Sequence, residues 1–575
     1  MHVCFRAAGA ALLGLALGWP TAADAQRGGR REGDDERRGT RGSISAGDLR
    51  SRLRAFAHDS MNGRATGSDG HERATRYIAD ELRRMGMAPA GDSGSYFQTV
   101  PMVWRRLGAD ASASASGRRF IIGADFGVLI ARAGTPRLAA TATAIFGGEV
   151  GDSASQISAA QAAGRVVVLR PSRRRLQLNP RSLTVDVGSR FADAAAVVIP
   201  LWHELPPSVR TQVAQPVLQL RAERSVSSMT GERRLVPAPV LPPTILVTEK
   251  FVEALLGRGA TVVGSLGETV SLDLQFSESP ALARNVVAVL PGRDPALRGQ
   301  YVAVLSHTDH EPARPRAVDH DSARAMAQQR RVVAERMQGS DRRAATSFAE
   351  LRVNIDSLRA IRPARLDSIM NGADDNGSGS MAALEIAEAF ANEEERPRRS
   401  LLFVWHTAEE LGLVGAAWFT EQPTVPRDSI VGAYNLDMVG RGHEGDIVGG
   451  GPEYLQVIGA RRISREFGEI LDEVNGARRT PFRLDLSHDA SGHPQAMWCR
   501  SDHAMYARYG IPVAFLTTGT HADYHQVTDE AQYIDYRKLS GVADLVRDAV
   551  RVLADRAERP RLDRSRPDPT ERCRQ

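Results

Sequence analysis

The chain has 575 residues, of which 42% are hydrophobic and 25% charged, and its formal net charge is +5. This length favours more than one domain, and the composition is that of a globular protein. The basic residues are almost all arginines scattered among acids, with lysine only at Lys250 and Lys538. Because no basic stripe interleaved with aromatic residues occurs, we expect no nucleic-acid partner.

The N-terminus has the pattern of a secretory signal peptide over residues 1–25. Arg6 precedes the apolar stretch "AAGAALLGLALGW", and Ala23-Asp24-Ala25 offers a small-x-small cleavage site. No later run reaches about 18 apolar residues, so we expect no stable membrane span in the mature chain. The sequence thus predicts an exported protein, periplasmic or secreted, with an uncleaved membrane anchor as the alternative. Residues 26–44 are predicted to be a disordered leader.

Cleavage would remove Cys4 and leave only Cys499 and Cys573. These two could form one disulfide in an oxidising compartment, but the sequence alone cannot pair them. With so few cysteines, a metal site in this chain must rely mainly on oxygen and nitrogen ligands.

The remaining chain divides into regions of different texture. Helical periodicity marks the start of residues 45–109, where Ala74, Ile78, Leu82 and Met85 share one face. Residues 110–275 are rich in Val, Ala and Gly, with short strand-like runs between breakers, and they predict a separate β-rich module. In residues 276–556 buried strands alternate with amphipathic helices. This alternation predicts an α/β fold: a mixed, mostly parallel sheet with helices on both faces.

Acidic residues and histidines cluster where these strands end. His307 and Asp309 follow "YVAVLS", Glu409 and Glu410 follow "LLFVWHTA", Asp437 follows "AYNL", and His525 comes soon after "PVAFLTT"; Asp374 and Asp375 precede a helix. Open α/β sheets bind ligands beyond the carboxyl ends of their strands. Imidazole and carboxylate groups suit zinc, and a bridging carboxylate can serve two metal ions roughly 3.5–4 Å apart. The pattern therefore indicates a two-metal site.

Five motifs, in the order "HTD", "GADDNGSG", "TAEELGLVG", "NLDMVG" and "DYHQVTD", resemble those of the co-catalytic zinc aminopeptidases. That family also contains glutamate carboxypeptidase II-like enzymes, glutaminyl cyclases and the catalytically inactive transferrin receptor. The resemblance implies the zinc exopeptidase fold for residues 45–109 and 276–556. It also implies that residues 110–275 are an inserted protease-associated (PA) domain, a weaker likeness of texture and position.

The resemblance implies a role for each residue of the cluster. One zinc would be bound by His307, Asp375 and Asp437, and the other by Asp375, Glu410 and His525, with Asp375 rather than Asp374 as the bridge. Glu409 would be the general base that takes a proton from the attacking water, and Asp309 would orient His307 from outside the ligand set. Co²⁺ or Mn²⁺ could occupy the same ligands. Asp502 is expected to cap a helix, with a supporting contact to the site from outside the ligand set as the alternative. Four nearby histidines are expected to be packed or hydrogen-bonded residues: His310, His406, His503 and His521.

One departure from the family pattern is a charged, helix-prone insertion at residues 311–366, called the insert below. It is expected to form either a lid that restricts substrates or a solvated surface excursion. The final residues, 557–575, are polar and Pro-rich and are predicted to be a disordered tail.

The implied function is a metallo-exopeptidase acting on peptides, with an aminopeptidase as the first hypothesis. A carboxypeptidase of the glutamate carboxypeptidase II type would need a basic pocket, which the abundant arginine allows. A glutaminyl cyclase would use one zinc and fewer ligands. A receptor-like, non-catalytic member would have lost ligands that this chain keeps. The sequence does not reveal residue specificity or oligomeric state.

Overall fold

The computed structural model describes residues 42–129, 137–150, 152–171, 190–214, 216–220, 242–258, 262–337, 353–447, 449–565, 568–569 and 573–575. The predicted signal peptide and most of the predicted leader lie outside these residues, as does the middle of the insert. Among the helices that are described, none is long and apolar enough to cross a lipid bilayer.

The described residues contain twelve α-helices. In chain order they are α1 (Ala46–Phe56), α2 (Asp69–Arg84), α3 (Ala159–Ala162), α4 (Pro207–Ala214), α5 (Glu249–Leu256), α6 (His320–Met337), α7 (Ile355–Ile361), α8 (Gly379–Asn392), α9 (Val414–Glu421), α10 (Arg465–Gly476), α11 (His503–Ala507) and α12 (Tyr536–Asp555). Several helices begin with a polar side chain, because such a side chain can accept a hydrogen bond from a free amide group of the first turn. Ser45 accepts from the amide of Asp48, and Ser68 accepts from the amide of His71.

The described strands are β1 (Ala88–Pro89), β2 (Phe97–Thr99), β3 (Met102–Leu107), β4 (Ser112–Ala115), β5 (Arg118–Ile121), β6 (Phe126–Leu129), β7 (Arg137–Glu149), β8 (Val166–Arg170), β9 (Ala196–Ile199), β10 (Val217–Leu220), β11 (Thr244–Val247), β12 (Leu266–Ala281), β13 (Arg284–Leu290), β14 (Tyr301–His307), β15 (Val318–Asp319), β16 (Leu366–Asp367), β17 (Ser400–His406), β18 (Ile430–Leu436), β19 (Tyr454–Ile458), β20 (Arg483–Asp485) and β21 (Val513–Thr517).

The first sheet has nine described strands in the order β1-β13-β17-β14-β18-β21-β19-β20, with β2 also paired to β13. The neighbours β17, β14, β18 and β21 run parallel, whereas β13 and β19 flank them in the antiparallel sense. Because parallel strands end at the same edge of a sheet, the residues that follow these four strands are brought together.

Both faces of the first sheet are buried, as successive residues of β17 demonstrate. Leu401, Phe403 and Trp405 pack into a core with helices α1, α2, α8, α10 and α12. Leu402 and Val404 pack into a second core with α9 and α11 on the opposite face. Side chains alternate between the faces of a strand, so a strand covered on both sides becomes a continuous apolar run. The predicted α/β class, with a mixed sheet and helices on both faces, is confirmed; the four central strands and the β19–β20 pair supply the parallel part.

The second sheet has ten described strands in the order β10-β3-β12-β7-β8-β9-β11-β6, with β4 and β5 added beside β12. Here too the faces alternate, since Val166 and Val168 pack under helix α5 and Val167 and Leu169 pack on the other side. This sheet starts earlier than the predicted module, at Met102, and ends later, at Ala281. Both sheets belong to one compact unit, Gly42–Gln575. The assignment of residues 110–275 to a PA domain stays a prediction.

The end of the chain is attached to the first sheet's domain by a disulfide between Cys499 and Cys573. The last residue, Gln575, adds hydrogen bonds: its amide donates to the carbonyl of His488 at 3.0 Å, and its side-chain oxygen accepts from the amide of Trp498 at 2.9 Å. These contacts correct the predicted disordered tail over residues 557–575, because residues 573–575 are fixed covalently and by hydrogen bonds. A polar, Pro-rich composition predicts disorder but carries no information about a distant cysteine partner.

Candidate metal centre

The predicted ligands meet at the carboxyl edge of the first sheet. His307 is the last residue of β14, Asp437 directly follows β18, and Glu410 lies in the turn after β17. His525 lies in the loop between β21 and α12, and Asp375 lies in the π-helical turn Ala373–Ser378 that leads into α8. The five residues fall into two groups, and Asp375 belongs to both. Within each group the donor atoms lie within 4.8 Å of one another.

The two adjacent aspartates of "GADD" have separate environments. Asp374 accepts a hydrogen bond from the amide of Gly440 at 2.7 Å, and its second oxygen lies 3.1 Å from Nε2 of His521. The carboxylate of Asp529 accepts from the amides of both Asp374 and Asp375 at 3.0 Å, and so fixes the turn. With Asp374 engaged elsewhere, the carboxylate of Asp375 is the one that faces the other predicted ligands.

His307, Asp375 and Asp437 form the first group, called the inner cluster below. Nε2 of His307 lies 3.5 Å from Oδ1 of Asp375 and 3.4 Å from Oδ1 of Asp437. The other oxygen of Asp437 accepts a hydrogen bond from the hydroxyl of Ser501 at 2.7 Å. Ser501 therefore turns Oδ1 of Asp437 towards the cluster, a positioning contact that the sequence did not predict.

His310, Asp375, Glu410 and His525 form the second group, called the outer cluster below. Nε2 of His525 lies 3.1 Å from Oδ2 of Asp375 and 3.1 Å from Oε2 of Glu410. Since Oδ1 of Asp375 faces the inner cluster, its carboxylate spans both groups. This is the placement that the bridging role requires.

The donor set fits a pair of zinc ions. A tetrahedral zinc ion with bonds of about 2.0–2.1 Å holds its donors about 3.3 Å apart, close to the spacing found in both clusters. The atoms that face each other are buried and have no hydrogen-bond partner of ordinary geometry among the described residues: Nε2 of His307 and His525, Oδ2 of Asp375 and Oδ1 of Asp437. Buried polar atoms without partners are destabilising unless another group satisfies them, and a cation would do so.

The charges of the clusters point the same way. Burial opposes the charged form of His307, yet Asp437 and Glu409 hold its pKa well above the usual value. Burial also opposes the charged form of His525, but Asp375 and Glu410 raise its pKa to about 11. The carboxylates thus draw a proton onto each imidazole, and a divalent cation would satisfy the same negative charge in place of those protons.

Glu409 lies beside both clusters and belongs to neither of them. Its side chain lines the pocket above the clusters, although the residue is only 8% exposed. Burial raises the pKa of Glu409 well above the usual value, and the negative charges of Glu410 and Asp437 add to the shift. A buried carboxylate with raised proton affinity that faces a pocket can act as a general base.

Asp309 contacts this glutamate turn more directly than it contacts His307. Its carboxylate accepts from the amide of Glu409 at 3.1 Å and from the hydroxyl of Thr66 at 3.1 Å. The same carboxylate lies 3.8 Å from Nδ1 of His307, and the nearer acceptor for that nitrogen is the main-chain carbonyl of Asp309, at 3.1 Å. The orienting role of Asp309 stays a prediction; the geometry adds the task of holding the turn that carries Glu409.

His406 and Asp502 lie behind the site and form a pair of their own. Nδ1 of His406 lies 3.2 Å from Oδ2 of Asp502, and Nε2 lies 3.0 Å from the hydroxyl of Tyr506. Asp502 stands at the N-cap position of α11, as predicted, but its side chain makes no hydrogen bond to the first turn. The predicted capping contact is therefore replaced by the contact with His406.

The other three histidines are packed or hydrogen-bonded as expected. His503 stacks on Phe515 with ring centroids 4.7 Å apart, and His521 contacts Asp374 as described above. His310 is buried as well, but it belongs to the outer cluster, which the sequence interpretation missed. Its position one residue after Asp309, in "HTDH", was the available signal.

The clusters lie in a pocket of about 180 Å³. Besides five predicted site residues, its lining consists of residues that the sequence reasoning did not single out: Glu311, Met438, Met497, Arg500, Phe515, Thr517, Thr520 and Tyr524. Arg500 donates to the hydroxyl of Tyr524 at 3.3 Å. Two of these residues had a usable signal in the sequence, since Tyr524 directly precedes His525 and Arg500 lies two residues before Asp502.

The insert flanks this pocket. Among its described residues, Glu311 alone lines the pocket wall. Arg314 donates to the side chain of Gln526 at 2.9 Å, and Arg324 lies 2.7 Å from Asp523 and 3.4 Å from the ring centre of Tyr533. The insert is thus docked on both sides of His525, which differs from a purely solvated excursion.

Comparison with known proteins gives the same assignment. Residues 355–550 match peptidase family M28, a range that includes Asp375, Glu409 and His525 and begins after His307. The chain is 33% identical over 170 residues to leupeptin-inactivating enzyme 1 of Streptomyces exfoliatus, covering 29% of this chain and 34% of that protein. It is 30% identical over 210 residues to an aminopeptidase of Pseudomonas aeruginosa (strain UCBPP-PA14), covering 33% and 36%. The chain thus spans about a third of the length of these relatives.

Similar solved structures include the aminopeptidase from Aneurinibacillus sp. strain AM-1, with a TM-score of 0.46 and 16% identity over 91% of this chain and 97% of that one. BSAP, a zinc aminopeptidase from Bacillus subtilis, has a TM-score of 0.47 and 17% identity over 92% and 100%. Residues 355–550 thus match peptidase family M28, and the five ordered motifs of the chain resemble those of the co-catalytic zinc aminopeptidases.

Proposed function

We propose that this chain is a zinc-dependent aminopeptidase that removes N-terminal residues from peptides and binds two zinc ions. One observation carries the proposal: a buried glutamate outside the ligand set, Glu409, faces the same pocket as two donor clusters that share Asp375. Co²⁺ or Mn²⁺ could replace zinc, since both accept nitrogen and oxygen ligands.

The chemistry can be written from the residues of the pocket. Zinc supplies Lewis acidity, which polarises a carbonyl group and lowers the pKa of water. Glu409 takes a proton from the water that attacks the scissile carbonyl carbon and delivers it to the departing amine, so no serine or cysteine nucleophile is required. Asp309 holds Glu409 in place through the amide of the turn.

Tyr524 can stabilise the charge that develops on the carbonyl oxygen. Its phenol lines the pocket beside His525, and burial together with the charges of Asp375 and Glu410 raises its pKa above the usual value. A phenol kept protonated is a hydrogen-bond donor throughout the neutral range, and Arg500 supports its hydroxyl.

Two features favour the free amino end as the substrate group. Glu311 stands at the pocket with a side chain 40% exposed, where a carboxylate can attract an α-ammonium group. The relatives from Streptomyces exfoliatus and Pseudomonas aeruginosa are named a leupeptin-inactivating enzyme and an aminopeptidase. A pocket of this size also suits a terminal residue better than the middle of a folded chain.

Arg500 favours a second candidate, a carboxypeptidase for acidic C-terminal residues. It is the pocket's basic side chain among the lining residues described, and a guanidinium group binds carboxylates well. A glutaminyl cyclase or a non-catalytic receptor-like protein receives no such support, because all five predicted ligands are present and close together.

We also propose export of the chain to the periplasm or the medium. The Cys499–Cys573 disulfide suits an oxidising compartment, and the N-terminal apolar segment suits a cleaved signal peptide. N-terminal sequencing of protein recovered outside the cytoplasm should start near residue 26. Recovery of intact chain in the cytoplasm only would contradict this proposal.

The function is tested by mass spectrometry of a mixed peptide set incubated with the purified protein, with and without a chelator. The set contains matched peptides with free and acetylated N-termini. We expect chelator-sensitive loss of N-terminal residues from the free-amine peptides alone. Trimming from the C-terminus, or loss of ammonia from N-terminal glutamine, would replace the aminopeptidase with one of its rivals. No change even with zinc supplied would contradict catalysis.

A further inference from the structure

His310 is a buried imidazole that the predicted ligand set does not use. Its side chain is fully enclosed, and Nδ1 lies 3.0 Å from Oε1 of Glu410 and 3.7 Å from Oδ2 of Asp375. Nε2 is also buried and has no hydrogen-bond partner among the described residues. Among the described residues, the polar contacts of this ring are thus all made by Nδ1, and all are with carboxylate oxygens of the outer cluster.

The backbone leaves room for the ring in this position. Gly372 has a positive φ of 53°, and a Cβ atom there would lie 2.5 Å from Cγ of His310. Any residue with a side chain would therefore displace the imidazole. On the other side, the ring packs edge to face against His525, with centroids 5.4 Å apart. The imidazole is held between a glycine cradle and another donor of the cluster.

The distances match those within a single coordination sphere. Donors around a tetrahedral zinc ion lie about 3.3 Å apart. Nδ1 of His310 is 3.0 and 3.7 Å from its two carboxylate neighbours, and Nε2 of His525 is 3.1 Å from the same two carboxylates. Two nitrogens and two carboxylates of this spacing make a complete four-donor set.

We propose that Nδ1 of His310 is a fourth protein donor to the metal of the outer cluster. This inference rests on the proposed metallopeptidase function. Four protein donors would match the donor count of a structural zinc site, whereas the inner cluster offers three protein donors. A zinc ion in the inner cluster would therefore keep a position for an exchangeable ligand, and one in the outer cluster would hold Asp375 and Glu410 in place.

The test is the zinc content and zinc affinity of the purified full chain, measured by competition with a chromophoric chelator. We expect His310→Gln to lower the affinity for one of the two zinc ions by more than about 100-fold. This exceeds the 10- to 100-fold loss of affinity expected for a residue that only orients a ligand. His525→Gln should weaken the same equivalent. His503→Gln removes an equally buried imidazole outside both clusters and should leave both equivalents unchanged. A loss of less than about 100-fold in His310→Gln would overturn the proposal.

X-ray absorption at the zinc edge decides the question without any variant. If His310 is a ligand, the two zinc ions together bind three imidazoles, those of His307, His310 and His525. A total of two imidazoles would overturn the role of His310. If the wild-type chain binds zinc with two imidazoles, this inference fails and the proposed function stands. If the wild-type chain binds no zinc, both fail.

Discussion

The inner and outer clusters share Asp375 but are built in different ways. The inner cluster is held by the sheet, because His307 ends β14 and Asp437 follows the neighbouring strand β18. The outer cluster depends on His525, which lies in a loop and itself has a positive φ of 55°. The side chain of His307 is 1% exposed and that of His525 is 27% exposed. A sheet fixes the first cluster, whereas side-chain contacts must fix the second.

The contacts that hold the His525 loop are charged and aromatic. The imidazole of His525 stacks on Tyr524, with ring centroids 3.8 Å apart. Asp523 accepts a hydrogen bond from the hydroxyl of Thr528 at 2.7 Å and lies 3.0 Å from the guanidinium of Arg441. Networks of this kind are sensitive to single substitutions, so the outer cluster should respond to changes that leave the inner one intact.

The largest effect is expected where the two clusters meet. Asp375→Asn removes the negative charge shared between the clusters and replaces one of the two carboxylate oxygens by an amide nitrogen that is a poor metal ligand, so one metal loses a donor and the other keeps only a neutral one. We expect zinc content, measured by plasma mass spectrometry, to fall from about two equivalents to below one, and peptide hydrolysis to be lost with it. Asp374→Asn is the matched control, because that carboxylate faces His521 and Gly440 instead. Full zinc content in Asp375→Asn would contradict the bridge.

The next effect separates catalysis from metal binding. Glu409 is in neither cluster, so Glu409→Gln should keep both zinc equivalents while hydrolysis of a free-amine peptide falls by about 10²–10⁴-fold. The measurement is kcat alongside zinc content on the same preparation. A variant that turns over at the wild-type rate would remove Glu409 from the mechanism. Loss of zinc would show instead that Glu409 supports a cluster.

The sequence predicted the inner cluster better than the outer one for a physical reason. A histidine or aspartate at the end of a buried apolar strand is placed by that strand, and strands can be recognised from local patterning. The position of His525 depends on a loop that follows β21, so the strand pattern placed it only loosely, and its role as a ligand came from the motif resemblance. His310 was expected to be packed or hydrogen-bonded, and its place in the outer cluster was missed, because spacing cannot reveal that the ring of His310 packs against Gly372.

The same contrast holds for the rest of the chain. The helical face of Ala74, Ile78, Leu82 and Met85 was predicted from spacing alone; the first three side chains are buried and that of Met85 is partly buried. The sequence left open whether Cys499 and Cys573 pair and whether the insert packs beside the site, since both depend on residues far apart in sequence. Local periodicity predicts which face of a helix or strand is buried, but it does not predict which distant residues contact each other.

The third prediction concerns pH and tests whether zinc binding displaces a proton from each cluster. The pKa of His525 is raised to about 11 and that of His307 is raised well above its usual value, so both imidazoles are protonated near pH 7 before metal binding. Zinc must displace these protons, and its affinity should therefore rise with pH by about tenfold per unit for each proton released. Calorimetry in buffers of different ionisation enthalpy counts the protons. An affinity that is flat between pH 6 and pH 8 would contradict protonated imidazoles.

The smallest expected effect concerns the insert and acts on the outer cluster alone. Arg324 is on α6, and its guanidinium contacts Asp523, two residues before His525, and the ring of Tyr533. Arg324→Gln removes the charge but keeps a polar side chain. Partly exposed ion pairs and cation–π contacts each contribute about 0.5–1 kcal/mol, so the outer zinc should weaken by about 2- to 10-fold.

The matched control for Arg324→Gln is Arg359→Gln, because Arg359 pairs with Asp319 inside the insert and does not contact the His525 loop. If docking of α6 positions His525, only Arg324→Gln should lower the affinity for the outer zinc, and the inner equivalent should be unchanged in both variants. An equal loss in both variants would mean that the insert acts through its own stability. No loss in either would mean that the loop is held by Arg441 and Thr528 alone, and that the outer cluster is as independent of its surroundings as the inner one.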